Sequence, residues 1–333
     1  MSLVGIIANP ASGKDVRRLV SHAITVGNQQ KVNVVRRVLL ALHACGIERV
    51  EIMPDVYGIG ERALHALHGR PDVRAMVSII DMVVENTAED SVRAAAYLRQ
   101  AGAGCIISLG GDGTARLVAR SCDQVPLLPL STGTNNVVPV FVEGTVAGLA
   151  AAYVAQQPEA RRHALCRRHK RLLVEINGQE TDMALVDVAL IATQFVGARA
   201  VWEPGLVRQV FVTRAQPTQI GLSAVIGVLE PVAPDQAWGA SAILDGQGRQ
   251  ALVSIAPGAI ARLGVGQITR LEPGCAYPIL PDRPAVLALD GERELELTAA
   301  DQVQVKLDLG GPWIVDVEHT LAQAVVARAF EVH

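Results

Sequence analysis

The sequence is poor in cysteine, and the few cysteines it has are scattered. Among 333 residues there are five cysteines, an odd number, and no two of them form a Cys-x-x-Cys pair. Paired cysteines at short spacing are typical of disulfide frameworks and zinc ribbons. Neither is predicted here, and we expect the protein to work in a reducing compartment.

Aromatic residues and net charge are also scarce. Phe, Trp and Tyr make up 3% of the chain, and the formal net charge at pH 7 is −3. A nearly neutral chain lacks the basic surface of nucleic-acid-binding proteins and the polybasic anchor of peripheral membrane proteins. No apolar run is long enough to span a bilayer, and the first residues resemble a buried strand more than a signal peptide. We therefore expect a cytoplasmic protein with a small-molecule partner, and neither a nucleic-acid nor a membrane partner.

Aliphatic residues are abundant, and their spacing changes along the chain. Residues 1–155 alternate short apolar runs with amphipathic segments, which predicts a parallel sheet wound with helices. Over 156–318, short β-rich runs separated by turn pairs such as Asn177-Gly178 predict a mostly antiparallel second domain. Residues 319–333 return to helical spacing and predict a C-terminal helix that docks on the first domain. A length of 333 residues suits two domains, since single cores stop growing near about 250–300 residues.

Three local predictions follow from the same periodicity. We expect a helix over 15–23, one continuous strand over 181–191 and another strand over 220–229.

The most informative motif is Gly-Gly-Asp-Gly-Thr at 110–114. It follows a buried-strand pattern over 105–109 and precedes a helical run. Glycines allow a tight turn and bring backbone N–H groups close to phosphate oxygens, and the helix N-terminus favours negative charge. Asp112 would repel phosphate there unless it binds Mg²⁺ or takes a proton from an attacking hydroxyl, and both roles belong to phosphoryl transfer. The alternative is a glycine turn in which Asp112 only caps the helix.

A second polar loop also follows an apolar strand. It offers hydroxyls, amides and a glycine, and consists of Ser131, Thr132, Gly133, Thr134, Asn135 and Asn136. Two such loops at the carboxyl ends of parallel strands would define one crevice, where open α/β sheets bind ligands. A polar turn without a ligand is the alternative.

A third loop follows the first strand and contains Asn9, Pro10, Ser12 and Gly13. It is not a Walker A loop, because Ala8 stands where that motif has its first glycine and Asp15 where it has Ser or Thr. Two interpretations stay open, a loop that only begins a helix and a third phosphate contact.

Together these segments resemble the superfamily of NAD kinases and diacylglycerol-type lipid kinases, and within it the acetoin catabolism protein X family. The resemblance implies an α/β domain with a Rossmann-like or flavodoxin-like parallel sheet, a β-sandwich domain, and a nucleotide between them. It implies that Asp112 is the catalytic aspartate and the ligand of Mg²⁺, with ATP and NAD as nucleotides. It also implies a homo-oligomer and a link to acetoin breakdown. Phosphate contacts would come from Gly110, Gly111, Gly113 and Thr114.

The chain departs from both branches of the superfamily. NAD kinases carry an Asn-Glu pair in the second domain; here Asp187 can replace the carboxylate, but Val186 cannot replace the amide. Lipid kinases follow their second loop with Asn-Asp, and here Val137 takes the place of the aspartate. Asp290-Gly291-Glu292 resembles their Asp-Gly-Glu, which makes Asp290 and Glu292 candidate second carboxylates, although Asp-Gly is also a common hairpin turn.

Three functions are compatible with these residues. The leading hypothesis is an ATP- and Mg²⁺-dependent kinase that phosphorylates a hydroxyl of NAD or a related nucleotide and so makes NADP. Val186 and Val137 favour the second, a nucleotide-binding regulator without turnover. Glu292 keeps open the third, a kinase for a lipid or a small alcohol.

Overall fold

The computed structural model describes residues 2–12, 26–133, 136–192, 204–279, 281 and 284–331. The predicted helix over 15–23 lies outside these ranges. The helices are α1 (Asn28–Ala44), α2 (Ile59–Ala66), α3 (Pro71–Ala75), α4 (Glu89–Gln100), α5 (Asp112–Cys122), α6 (Gly144–Gln156), α7 (Glu159–Arg162), α8 (Ser223–Gly227) and α9 (Val317–Val326). No helix in the described ranges is both long and apolar enough to cross a lipid bilayer.

The strands fall into two groups, those of the first, mostly parallel sheet and those of the antiparallel second domain. The first group is β1 (Leu3–Ala8), β2 (Arg49–Ile52), β3 (Val77–Ile79), β4 (Cys105–Gly110), β5 (Leu127–Ser131), β6 (Cys166–Arg168) and, late in the chain, β19 (Trp313–Val315). The second is β7 (Arg171–Ile176), β8 (Gln179–Ala184), β9 (Asp187–Ile191), β10 (Val207–Val212), β11 (Gly239–Ile243), β12 (Arg249–Ala256), β13 (Ala259–Val265), β14 (Ile268–Leu271), β15 (Ala276–Ile279), β16 (Ala285–Leu289), β17 (Glu292–Leu297) and β18 (Val303–Asp308).

The first sheet has the strand order of a doubly wound fold. Its order is β3-β2-β1-β4-β5-β19-β6, and all pairs are parallel except the last. Strands β1 to β5 are apolar because helices cover both faces of the sheet. One face packs against α1 and α6, and the other against α4 and α5. The strand order reverses between β1 and β4, which is where open α/β sheets bind ligands.

The second domain is a β-sandwich. A six-stranded sheet with the order β14-β11-β10-β9-β16-β17 faces a four-stranded sheet with the order β15-β18-β7-β8. Their shared core is made of inward-facing aliphatic residues and Phe211. On its other face the six-stranded sheet packs against the β12-β13 hairpin and α8. The predicted fold class, an α/β domain followed by a β-rich sandwich, is confirmed.

Elements from beyond residue 156 complete the first sheet. β19 pairs with β5 and β6, and α9 packs against α6. The Thr320 hydroxyl donates to the carbonyl oxygen of Leu165 at 3.1 Å, which fixes the start of α9. The predicted boundaries at 155/156 and 318/319 remain a proposal.

Two of the predicted strands are wrong. The segment 220–229 contains the helix α8, and all residues of α8 are buried. A segment that is buried on every side is apolar throughout, so its sequence shows neither the helical nor the strand period. The predicted strand over 181–191 is two strands, β8 and β9, which belong to different sheets. The break occurs because the N–H groups of Leu185 and Val186 donate to the carboxylate of Asp290, at 3.0 and 2.7 Å, and not to a neighbouring strand.

The contact between α1 and α6 depends on Gly148. A Cβ atom at this position would lie 2.6 Å from the Cβ of Ala41 and 2.9 Å from the carbonyl oxygen of Val38. We predict that Gly148→Val lowers the free energy of unfolding by about 1–3 kcal/mol, the usual cost of overpacking. Thr145→Val is the control, because it places the same side chain on an exposed part of α6. Equal urea midpoints for the two variants would contradict the prediction.

Candidate functional site

The three polar loops meet at the switch point of the first sheet. The Asn9 side-chain amide donates to the Thr114 hydroxyl at 3.0 Å, which joins the first loop to the glycine-rich loop. The hydroxyl oxygens of Ser12 and Thr132 are 3.3 Å apart, and the N–H of Thr132 donates to the carbonyl oxygen of Gly110 at 3.2 Å. The structure therefore brings the described members of the predicted phosphate site into one crevice. Gly13, Thr134 and Asn135 lie outside the described residues.

A buried lysine holds the backbone of the first loop in place. Lys31 on α1 is fully buried, and its ammonium group donates at 2.7 Å to each of the carbonyl oxygens of Asn9 and Ser12. The amide side chain of Asn9 also accepts from the N–H of Ala11 at 2.9 Å, which closes a tight turn around Pro10. The hydroxyl of Ser12 donates to the carbonyl oxygen of Asn9 at 2.9 Å and lies beside the Thr132 hydroxyl of the second loop.

The glycine-rich loop leads directly into α5. The helix begins at Asp112, three residues earlier than the apolar pattern indicated, with Gly111 as its extended N-cap and no side-chain cap. The first N–H groups of a helix have no partner within it, so this end of α5 is suited to bind an anion. Gly110 must be glycine, because a Cβ would lie 2.3 Å from the Thr114 hydroxyl oxygen.

The carboxylate of Asp112 fastens the second loop. It accepts from the N–H of Val137 at 2.9 Å and from that of Val138 at 2.8 Å. Within that loop the Asn136 side-chain amide donates to the Ser131 hydroxyl at 2.7 Å, and the hydroxyl donates to the carbonyl oxygen of Gly133 at 2.7 Å. Asp112 is thus a structural residue of the crevice, whether or not it also takes part in chemistry.

The second domain adds a carboxylate at the same helix end. Asp290 and Gly291 have φ of +51° and +79° and form the tight turn between β16 and β17, so the hairpin interpretation is correct. Glu292 follows that turn. One of its carboxylate oxygens lies 2.8 Å from the position that a Cβ on Gly113 would occupy. The turn therefore places Glu292 against the first turn of α5, next to Asp112.

Asp290 itself faces away from solvent and holds the two domains together. Its carboxylate accepts from the N–H groups of Leu185, Val186 and Asp187, and the Nε of Arg116 on α5 lies 3.8 Å away. Burial raises the pKa of Asp290 to about 7, against the lowering effect of Arg116 and of the backbone hydrogen bonds. A carboxyl in this setting serves as an anchor between the domains.

Asp187, the other candidate from the second domain, lies beside this anchor. It is buried, and its backbone carbonyl accepts from the N–H of Asp290 at 2.9 Å. The structure therefore places Asp187 with Asp290 at the junction between the domains, behind the loop that carries Glu292.

Two arginines at the site were missed by the sequence analysis. Arg116 is 1% exposed and donates to Asp182 at 2.9 Å as well as facing Asp290. Arg214 follows β10, and the negative charge of Asp112 acts on its pKa. Neither arginine belongs to a recognisable motif, and their positions depend on contacts between segments far apart in sequence.

The residues present fit a magnesium nucleotide. No group of three or more His, Cys, Asp or Glu side chains with metal-binding geometry occurs in the described part of the chain. Mg²⁺ usually keeps several waters and takes one or two protein carboxylates together with phosphate oxygens. Asp112 and Glu292, both at the start of α5, can supply those carboxylates.

The comparisons with known proteins agree with this two-domain arrangement. Residues 4–157 match the model of the ATP-NAD kinase N-terminal domain, and residues 170–309 match that of the acetoin catabolism protein X C-terminal domain. Acetoin catabolism protein X of Cupriavidus necator is 40% identical over 317 residues, which cover 92% of this chain and 87% of that protein. The chain belongs to the acetoin catabolism protein X family.

Solved structures similar to this member of the acetoin catabolism protein X family include two diacylglycerol kinase structures from Bacillus anthracis str. Sterne. Each is 12% identical, with 94% of this chain and 96% of the other covered, and the TM-scores are 0.43 and 0.44. The resemblance of the motifs to NAD kinases and to the acetoin catabolism protein X family is confirmed by the two family models and by the Cupriavidus relative.

The anchor between the domains can be tested on α5. We predict that Arg116→Met lowers the free energy of unfolding by about 3–5 kcal/mol, because it leaves the carboxylates of Asp290 and Asp182 without the buried cation that they share. Arg120→Met, one turn later on α5, is the matched control. Arg120 is partly exposed and lies 3.9 Å from Asp182, and we expect a change of at most about 1 kcal/mol. Urea unfolding of both variants makes the comparison, and similar losses would argue against an anchor at Asp290.

Proposed function

We propose that this protein binds ATP in the crevice and transfers its terminal phosphoryl group to a hydroxyl of NAD or a related nucleotide. The observation that supports this most is the start of α5, where an uncapped helix end in a glycine-rich loop lies beside two carboxylates, Asp112 and Glu292. Phosphoryl transfer needs mainly positioning and charge neutralisation, and these groups supply both.

Each group has a role in the proposed reaction. The N–H groups of the first turn of α5 and the hydroxyls of Ser12, Thr114 and Thr132 would bind the phosphates. The acceptor oxygen forms a bond to the γ-phosphorus, the bond from that phosphorus to the β–γ bridging oxygen breaks, and ADP leaves. A bound Mg²⁺ would neutralise the charge on the phosphates. The proton of the acceptor hydroxyl passes to a carboxylate.

Glu292 is the better candidate for that proton. The Asp112 carboxylate accepts hydrogen bonds from two backbone N–H groups of the second loop, so it already has a role in fixing that loop. Glu292 belongs to the second domain and lies against the first turn of α5. We therefore propose Glu292 as the base and Asp112 as a ligand of Mg²⁺ that also fixes the second loop.

The test is product analysis after incubation with ATP, Mg²⁺ and NAD. We predict that Glu292→Gln lowers kcat by about 10²–10⁴-fold, the range for loss of a general base, with little change in the affinity for ATP. Glu296→Gln is the control, since Glu296 is an exposed glutamate on the same strand. Asp112→Asn should also abolish transfer, while its Oδ1 can still accept from Val137 and Val138. NADP formation at the unaltered rate by both variants would refute the proposal.

The second candidate is a nucleotide-binding protein without turnover. The use of the Asp112 carboxylate to fasten the second loop favours it, because that role would retain the aspartate even without catalysis. Saturable binding of ATP with no product from any nucleotide acceptor, while Asp112→Ala weakens binding more than Asp112→Asn, would support this candidate over the kinase.

Three further properties stay predictions. They are a homo-oligomeric state, a cytoplasmic location and a link to acetoin breakdown. The last is supported by the names of the Cupriavidus relative and of the C-terminal family model.

A further inference from the structure

Arg214 is a cation that the second domain places at the crevice. It follows Thr213, whose hydroxyl donates to the carbonyl oxygen of Leu185 at 2.6 Å and whose N–H donates to that of Val186 at 2.9 Å. On its other side the N–H of Ala215 donates to the carbonyl oxygen of Val232 at 2.9 Å. The backbone that carries Arg214 is therefore fixed at the same strand switch that Asp290 anchors.

The guanidinium group of Arg214 is incompletely satisfied. Its Nε atom is buried and, within the part of the chain that the structure describes, has no hydrogen-bond partner. Burial lowers the pKa of Arg214, and the negative charge of Asp112 opposes that shift, so the guanidinium lies within electrostatic range of the glycine-rich loop. Buried polar groups normally have partners, and a water molecule or a ligand can supply the partner that the chain does not.

A second buried cation lies close to Arg214. The ammonium group of Lys170 donates to the carbonyl oxygens of Gln236 and Trp238 at 2.7 and 2.8 Å. Burial and the positive charge of Arg214 together lower the pKa of Lys170 to about 8, and the negative charge of Asp235 opposes that shift. The negative charge of Asp112 acts on Arg214 and that of Asp235 on Lys170, but neither cation forms an ion pair with a residue in the described part of the chain. This arrangement favours an additional anion.

We infer that Arg214 binds an anionic phosphate group of the acceptor. This rests on the proposed function, in which the donor phosphates occupy the loops of the first domain. Arg214 reaches the crevice from the opposite, second domain, and a guanidinium presents paired N–H groups that match phosphate oxygens. The acceptor would then be a phosphate-bearing hydroxyl compound, such as a dinucleotide, and not a neutral alcohol such as a diacylglycerol or a small ketol.

Calorimetric titration of the full chain tests this. In the first titration, NAD is added to protein whose donor site is filled by a nonhydrolysable ATP analogue and Mg²⁺. The ATP analogue alone is titrated separately. A third titration uses adenosine, which carries no phosphate. We expect Arg214→Met to raise the Kd for NAD about tenfold or more, while the Kd values for the ATP analogue and adenosine change less than about twofold. Arg208→Met, at an exposed position on β10, should change none of them. Arg214→Gln is the second variant if Arg214→Met does not fold.

The outcomes separate this inference from the proposed function. Weakened binding of the ATP analogue would assign Arg214 to the donor and overturn the inference. Unchanged NAD affinity in both variants, or no NAD binding by the unaltered protein, would overturn it too. Loss of NAD affinity in a protein that forms no NADP would uphold the role of Arg214 and reject phosphoryl transfer to NAD.

Discussion

The buried carboxylate of Asp290 is the constraint on which the rest of the site depends. Its oxygens accept from three successive backbone N–H groups, those of residues 185 to 187, and face the guanidinium of Arg116 on α5. An uncompensated buried carboxylate is costly, so each of these partners is held in place by the need to satisfy it. The chain can leave the four-stranded sheet and enter the six-stranded sheet at this point because the carboxylate supplies the hydrogen bonds that a strand neighbour would give.

The same anchor positions Glu292, the carboxylate proposed as the base. Because Asp290 and Gly291 form the turn between β16 and β17, the position of Glu292 relative to Gly113 follows from the position of Asp290 relative to Arg116. A helix end in one domain and a carboxylate in the other are thereby kept in contact through one ion pair and one tight turn. A hairpin turn and a functional motif are not competing interpretations of Asp-Gly-Glu, since the turn is what presents the glutamate.

Sequence reasoning was strongest where local chemistry decides the structure. The glycine loop, the Asn177-Gly178 hairpin and the two-domain architecture follow from short patterns with a direct physical cause, and all three occur in the structure. It failed at α8, where burial on all sides removes the helical period, and at residues 185 and 186, whose hydrogen-bond acceptor lies more than 100 residues away. Arg116 and Arg214 were missed because their partners also lie far away in the sequence. A single arginine outside any motif gives no sign of which residues it will contact.

The distribution of charge in the crevice follows from these placements. Asp112 and Glu292 lie at the positive end of α5, where the helix dipole stabilises carboxylates even without a ligand. Phosphates arriving at this end would meet the two carboxylates, so they need positive charge from elsewhere, and a metal ion between carboxylate and phosphate would supply it. Arg214 and Lys170 belong to the second domain, where the negative charge of Asp112 acts on Arg214 and that of Asp235 acts on Lys170. Neither cation forms an ion pair with a described residue. Two carboxylates at the helix end, with an arginine of the second domain nearby, suit two ligands that both carry phosphate, one bound through a metal ion and one bound directly.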